Sequence, residues 1–150
     1  MALWALALVP LSVVIIFAAL SLLSRRGGPP GLVANRLHPC PSSPNCVCSQ
    51  DSDAEHRIEP IAFQGTEVEA LERLLDVLRH QPRVRIAAVK GHYVHAEFTS
   101  AVFRFIDDVE FLIDGDAKVV HVRSASRVGY SDFGANRRRV EELRMALSGP

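Results

Sequence analysis

The sequence predicts an α+β fold, a small antiparallel sheet with two helices packed on one face, preceded by an N-terminal transmembrane helix. Three observations predict it. The chain opens on an apolar run without a charge, Leu3 to Leu23. Apolar residues recur at helical spacing over Thr66 to Gln81 and again through Val140, Leu143 and Leu147, while between Arg83 and Ser126 they recur at every second position. Elements in the order strand, helix, a group of strands, helix belong to an antiparallel sheet with segregated helices rather than to alternating βα units.

A chain of 150 residues with 48% hydrophobic content, 23% charged residues and zero formal net charge accommodates one small domain plus something unusually apolar. The neutral total and modest aromatic content exclude a dedicated nucleic-acid binder. Leu3 to Leu23 is long enough, at helical rise, to cross a hydrocarbon core of about 30 Å. No Lys or Arg precedes the run, and Arg25 and Arg26 close it, which favours an uncleaved single-pass anchor over a cleavable export signal. The expected division is a membrane anchor over residues 1–26, held by the lipid bilayer, a linker over 27–35 rich in Gly and Pro, and one α+β domain over 36–150. Arg25, Arg26 and Arg36 incline the domain toward the cytoplasm, although that charge rule weakens for long translocated segments.

Cys40, Cys46 and Cys48 stand among prolines in HPCPSSPNCVCSQD. Three readings stay open at this point. A zinc site completed by His38 fits no common tetrahedral spacing, and a catalytic thiolate has no diagnostic partner. The third is a Cys40 to Cys46 staple in an exported domain, or inert thiols in a reducing compartment.

Ile58 to Phe63 reads as a short edge strand that tolerates Pro60. In the helix that follows, Val68, Leu71, Leu74, Leu75 and Leu78 share a face, Thr66 with Glu69 forms a capping box, and Pro82 ends it. Val84, Ile86 and Ala88, then Val94, Ala96 and Phe98, mark two strands turning at Gly91. His95 and Glu97 share the polar face of the second strand; such a pair can hold a metal but is more commonly solvated. The next segment runs from Ala101 to Asp114, with Asp107 alone interrupting an apolar face of Ala101, Phe103, Phe105, Val109, Phe111 and Ile113. A strand of that length predicts a bulge near Asp107 and Asp108. A carboxylate on an apolar face also needs a partner, for which Arg123, Arg127 and the backbone amides of the loop after the next strand are the candidates. Asp114, Gly115 and Asp116 turn the chain into Lys118 to Ser126. A last helix starts between Ser131 and Asn136, and Gly149 stands where its stop is expected.

Four stretches, CPSSPNCVCS, YVHAEFTS, RFIDDVEF and RSASRVGYSDFGANRRR, together resemble the domain of unknown function 1499 family (DUF1499). The likeness covers nearly all of the chain after the apolar run. It implies a small domain, placed in some members behind export or transit signals, and no established activity. It also implies that Cys40 and Cys46 are the matching pair, with Cys48 the odd thiol where a serine is usual. On that resemblance an extracytoplasmic domain with Cys40 joined to Cys46 is preferred.

The stretch GYSDFG is not a nucleophile elbow, and neither a phosphate loop nor a dinucleotide fingerprint occurs. No catalytic residue, metal ligand or cofactor is assigned. Two function classes remain, a non-enzymatic accessory module that binds a small anionic ligand or a protein partner in an Arg/Asp cleft, and an enzyme using Asp107, Asp108 and Glu110 as acid and base on a small anionic substrate. The candidate ligand-binding residues are Asp107, Asp108, Glu110, Arg123, Arg127, Asp132, Asn136 and Arg137. Arg137, Arg138 and Arg139 fall in the first turns of the last helix, where cations oppose the macrodipole and call for a negative partner. Arg127, Asn136 and Arg137 are expected to border one polar cleft with the carboxylates opposite.

Overall fold

The structure, a computed structural model, describes residues 3–148, with side chains from Ser12 onward. Among them the chain forms α1 (Leu3–Ser24), β1 (Leu32–Val33), β2 (Arg36–Leu37), β3 (Cys46–Cys48), β4 (Ile61–Ala62), α2 (Glu67–His80), β5 (Val84–Lys90), β6 (Tyr93–Thr99), β7 (Ile106–Asp114), β8 (Val119–Ser126) and α3 (Ala135–Ser148). The expected stop at Gly149 lies outside the described residues. The main sheet has six strands in the order β3-β8-β7-β6-β5, with β4 also on β8, and every ladder is antiparallel. The two short strands β3 and β4 thus share one edge of β8 at different heights.

The helices close one face of this sheet. From α2, Ala70, Leu74 and Leu78, and from α3, Val140 and Leu143, meet Val94, Ala96, Val109, Phe111, Ile113, Val120 and Val122 in one buried cluster. The capping box of α2 forms as its sequence dictates: Glu69 N–H donates to Thr66 Oγ1 at 3.2 Å, and Thr66 N–H donates to Glu69 Oε2 at 2.7 Å. On the opposite face, Leu37, Cys48, Tyr93 and Leu112 make a smaller cluster beneath the β1–β2 hairpin, where Ala34 and Asn35 take left-handed backbone.

The expected single-pass membrane helix is corrected: among the described residues no helix is long and apolar enough to cross a membrane. The expected single-pass localisation falls with it. An uncharged run reports apolar side chains, not what they touch. In the described half of α1, Phe17 stacks on Phe103 with ring centroids 4.2 Å apart and lies 6.1 Å from Phe105. At its end Ser24 is fully buried, and its Oγ accepts from Ile106 N–H at 3.2 Å. The same contact explains why the strand expected from Ala101 starts only at Ile106. Residues 101–103 form a turn, Arg104 adopts φ 60°, and Phe103 and Phe105 serve the packing against Phe17 instead of a ladder. The shortened β7 pairs with β6 and β8 without a register shift, so no bulge sits at Asp107; the irregularity lies in β5 between Ile86 and Ala88.

Cys40 and Cys46 are joined in a disulfide with α-carbons 5.7 Å apart. Cys48 is a free, buried thiol whose pKa is raised by burial, which keeps it protonated and unreactive.

Candidate functional site

Period-two geometry sorts the polar residues of β6, β7 and β8 onto the two faces. Odd positions of β7 face the helices and even positions face away, toward residues 25–31, the strap that joins α1 to β1. Under that strap lie His95 and Glu97 of β6, Asp108 and Glu110 of β7, Arg123 of β8, and Arg127 just beyond it. The cross-strand pairs His95 with Glu110, Glu97 with Asp108 and Glu110 with Arg123 follow from the register.

Arg127 is the hub. Its Nε donates to Asp108 Oδ2 at 2.7 Å, and its Nη2 donates to Asp108 Oδ1 at 2.6 Å and to Glu97 Oε1 at 2.7 Å. Its Nη1 donates to the backbone oxygen of Ser24 at 3.0 Å, which ties the end of α1 to the sheet. A β-carbon on Gly27 would stand 3.2 Å from Arg127 Cδ, so a glycine lets the strap lie close over the guanidinium. Asp108 also takes His95 Nε2 at 2.7 Å. Beside this group, Glu110 is fully buried and accepts from Arg123 Nη1 at 3.1 Å, Tyr93 O–H at 2.8 Å and Gly31 N–H at 3.0 Å.

The electrostatics follow from these partners. Burial pushes Asp108 up, but the hydrogen bonds from Arg127 and His95 outweigh it and hold the carboxyl below its ordinary value. Glu97 is likewise lowered, with the bonds from Arg127 and Arg85 overcoming desolvation. Arg127 is raised, first by its bonds to Asp108. Burial and then Glu110 raise the Tyr93 hydroxyl, so it stays a proton donor. Among the described residues Arg123 Nε is the one buried side-chain nitrogen or oxygen without a hydrogen-bond partner.

Of the other candidates, Asp107, Asp132 and Asn136 fall on the helix face. Asp107 accepts from Arg139 Nη2 of α3 at 2.5 Å, not from Arg123, Arg127 or loop amides. Arg139 also donates to Ser124 Oγ at 3.0 Å and lies over the Phe98 ring at 5.0 Å. Asn136 is fully buried, and its Nδ2 donates to the backbone oxygen of Asn45 at 2.9 Å and to Asp132 Oδ2 at 2.8 Å. Asp132 caps α3, accepting from Gly134 N–H at 2.9 Å and Asn136 N–H at 2.7 Å. Arg137 points elsewhere and donates to the backbone oxygens of Glu55 and Arg57 at 2.9 and 3.0 Å. The structure thus brings Asp108, Glu110, Arg123 and Arg127 together under the strap. It sets Asp107, Asp132 and Asn136 on the far side of the sheet, and Arg137 outside both groups.

A recess of about 370 Å³ opens between strap and sheet, lined by Pro29, Gly31 and Leu32 above and Ala88, Lys90, Tyr93 and His95 below. Tyr93 and Lys90 were not among the residues singled out from the sequence. Tyr93 carries a signal all the same, since it shares the period-two face of His95 and Glu97. The ligand atoms of His95, Glu97 and Asp108 lie within 4.8 Å of one another, a spacing a metal ion can use. The Arg127 guanidinium already supplies the cation to both carboxylates, and a dipositive ion beside it would be repelled.

No curated protein matches the chain. A family model described as "Protein of unknown function (DUF1499)" matches residues 36–147, well over half of the sequence, and the chain belongs to that family.

Proposed function

We propose that the domain is a non-enzymatic module that binds a small anionic ligand in the recess between strap and sheet. The reading rests on one observation. Glu97, Asp108 and Glu110 are each paired with arginine, so the groups left over at the recess are the Lys90 ammonium and His95 Nδ1, neither of which has a partner among the described residues. An ammonium ion attracts an anionic group, and the imidazole beside it accepts or donates one hydrogen bond. The buried network fixes the imidazole through Asp108, as a preorganised site requires, and exposed Lys90 lines the same recess from the end of β5. Titration of the full chain with inorganic phosphate and with acetate, followed by NMR, tests this. Saturable shifts are expected at Lys90, His95 and Gly31, and Lys90→Gln abolishes them. If neither anion saturates, and native mass spectrometry of the purified chain finds no bound molecule, the reading fails.

A second reading, an enzyme, is favoured by the His95 to Asp108 contact at 2.7 Å, because an imidazole oriented by a carboxylate is the arrangement of a general base. Its proton carrier is His95. Asp108, held charged by Arg127, is too weak a base at neutral pH for the carboxylate mechanism expected from the sequence. Turnover of small carboxylate or phosphate esters that disappears in His95→Gln, with the fold intact, separates this reading from simple binding.

A further inference from the structure

The loop between β8 and α3 carries the two most exposed large aromatic side chains among the described residues, Tyr130 at 75% and Phe133 at 88%. Neither belongs to the strap-side site. The loop that displays them is not loose. Asn45 Nδ2 donates to Gly129 O at 2.6 Å, Phe133 N–H to Ser131 Oγ at 3.3 Å, Gly134 N–H to Asp132 Oδ1 at 2.9 Å, and Arg138 Nη1 to Phe133 O at 2.8 Å. Phe133 sits at φ 53°, a left-handed conformation that glycine or asparagine takes readily and a bulky side chain does not. Its ring gains no burial in return. A rigid loop that points a strained phenylalanine and a tyrosine into solvent is what the anchor of an interface looks like before its partner arrives.

The charge beside the rings is mainly positive. A recess of about 250 Å³ next to the loop is lined by Arg83, Arg138 and Arg139, by Glu142 as its one carboxylate, and by Thr99 and Ser100. Arg139 is neutralised by Asp107. Arg83 and Arg138 bond only to the backbone oxygens of Thr99 and Phe133, and neither has a carboxylate partner among the described residues. We propose that this end of the domain docks a protein whose surface offers an apolar pocket to Phe133 and Tyr130 and carboxylates to Arg83 and Arg138. A shaped pocket uses rings held in fixed directions, whereas an anionic lipid surface would attract the arginines without needing the hydrogen-bonded loop.

The test uses the full chain with p-benzoylphenylalanine in place of Phe133, of Tyr130 or, as an exposed control on α3, of Met145, irradiated in cells that make the protein naturally. The expected result is one and the same protein crosslinked from positions 130 and 133 and not from 145. Charge reversal by Arg83→Glu with Arg138→Glu cuts the yield roughly tenfold, as expected when complementary charge is inverted. With that protein purified, Phe133→Asn weakens binding by roughly tenfold or more and leaves thermal stability unchanged or raised, because asparagine suits the left-handed backbone. Equal crosslinking from position 145, crosslinks only to a second copy of this chain, or Phe133-dependent pelleting with phosphatidylserine vesicles without any protein crosslink would each overturn the proposal.

Discussion

The sheet face under α2 and α3 buries Val94, Ala96, Val109, Phe111, Val120 and Val122, whereas the face under the strap buries His95, Asp108, Glu110 and Arg123. The same strands build both. On the helix face the apolar side chains meet helix residues, and area removed from water supplies the stability. On the strap face a segment rich in Gly and Pro has few side chains to offer. It is held instead by main-chain contacts, Ser24 O to Arg127 and Gly31 N–H to Glu110. Charged groups buried in this way contribute little net stability compared with apolar replacements. The comparison teaches that the helix face serves folding through apolar burial, whereas the strap face keeps a costly buried ionic arrangement, the feature on which the proposed binding site rests.

The largest expected effects are equal on the two faces and differ in how they are rescued. Phe111→Ala leaves a cavity under the helices and costs about 3 to 5 kcal/mol in urea unfolding. Arg127→Ala leaves Asp108 and Glu97 without their shared guanidinium and costs about 3 to 5 kcal/mol. Adding Asp108→Leu to Arg127→Met should recover most of that loss, while no single second substitution restores Phe111→Ala. Failure of the paired replacement would show that the strap face stabilises the fold in its own right.

A smaller effect, about 1 to 3 kcal/mol, is expected for Asp107→Ala. Arg139 loses its carboxylate there but keeps Ser124 and Asn136 as acceptors. A loss as large as that of Arg127→Ala would place the Asp107 pair on a par with the strap network.

Acid should weaken the strap face. Asp108 and Glu97 titrate below their ordinary values in the folded chain, so the unfolded chain binds more protons. Their contribution is complete above the usual carboxylate range of about 4 and is lost as pH falls through the lowered folded values. Unfolding free energies measured at neutral and strongly acidic pH should converge in Arg127→Gln relative to the parent chain. An unchanged difference would show that other carboxylates govern acid sensitivity.

The smallest effect belongs to the edge of the helix face. Thr66→Ala removes the side-chain acceptor of the α2 capping box and should cost about 1 kcal/mol, read as a shifted urea midpoint without a changed slope.

Much of this was legible in the residues. Thr66 and Glu69 announce the start of α2, the stretch from Ser131 to Asn136 brackets the start of α3, within which Asp132 is the residue that caps it, and alternation through β6 to β8 places His95 with Glu97 and Asp108 with Glu110 on shared faces. These are local facts, decided by backbone geometry within a few residues. The partners were less legible. Asp107 finds Arg139, 32 residues away, because α3 lies across the helix face, and nothing in the spacing of Asp107 favours that arginine over Arg123 or Arg127. The separation of Asn136 from Arg127 has the same origin: residues close in sequence at a strand end and a helix start pass to opposite sides of one sheet.

The sequence by itself determined the α+β class, the helices α2 and α3, the hairpin strands and the family, since period, capping and motif are written in neighbouring residues. The tertiary structure alone decided that Phe17 stacks on Phe103, that Ser24 and Gly31 lay the strap over Arg127 and Glu110, and that Lys90, Tyr93 and His95 line one recess. Those contacts join residues up to 103 positions apart in the chain. Such pairings depend on which surfaces remain exposed once the sheet and helices have packed, and local periodicity carries no record of them.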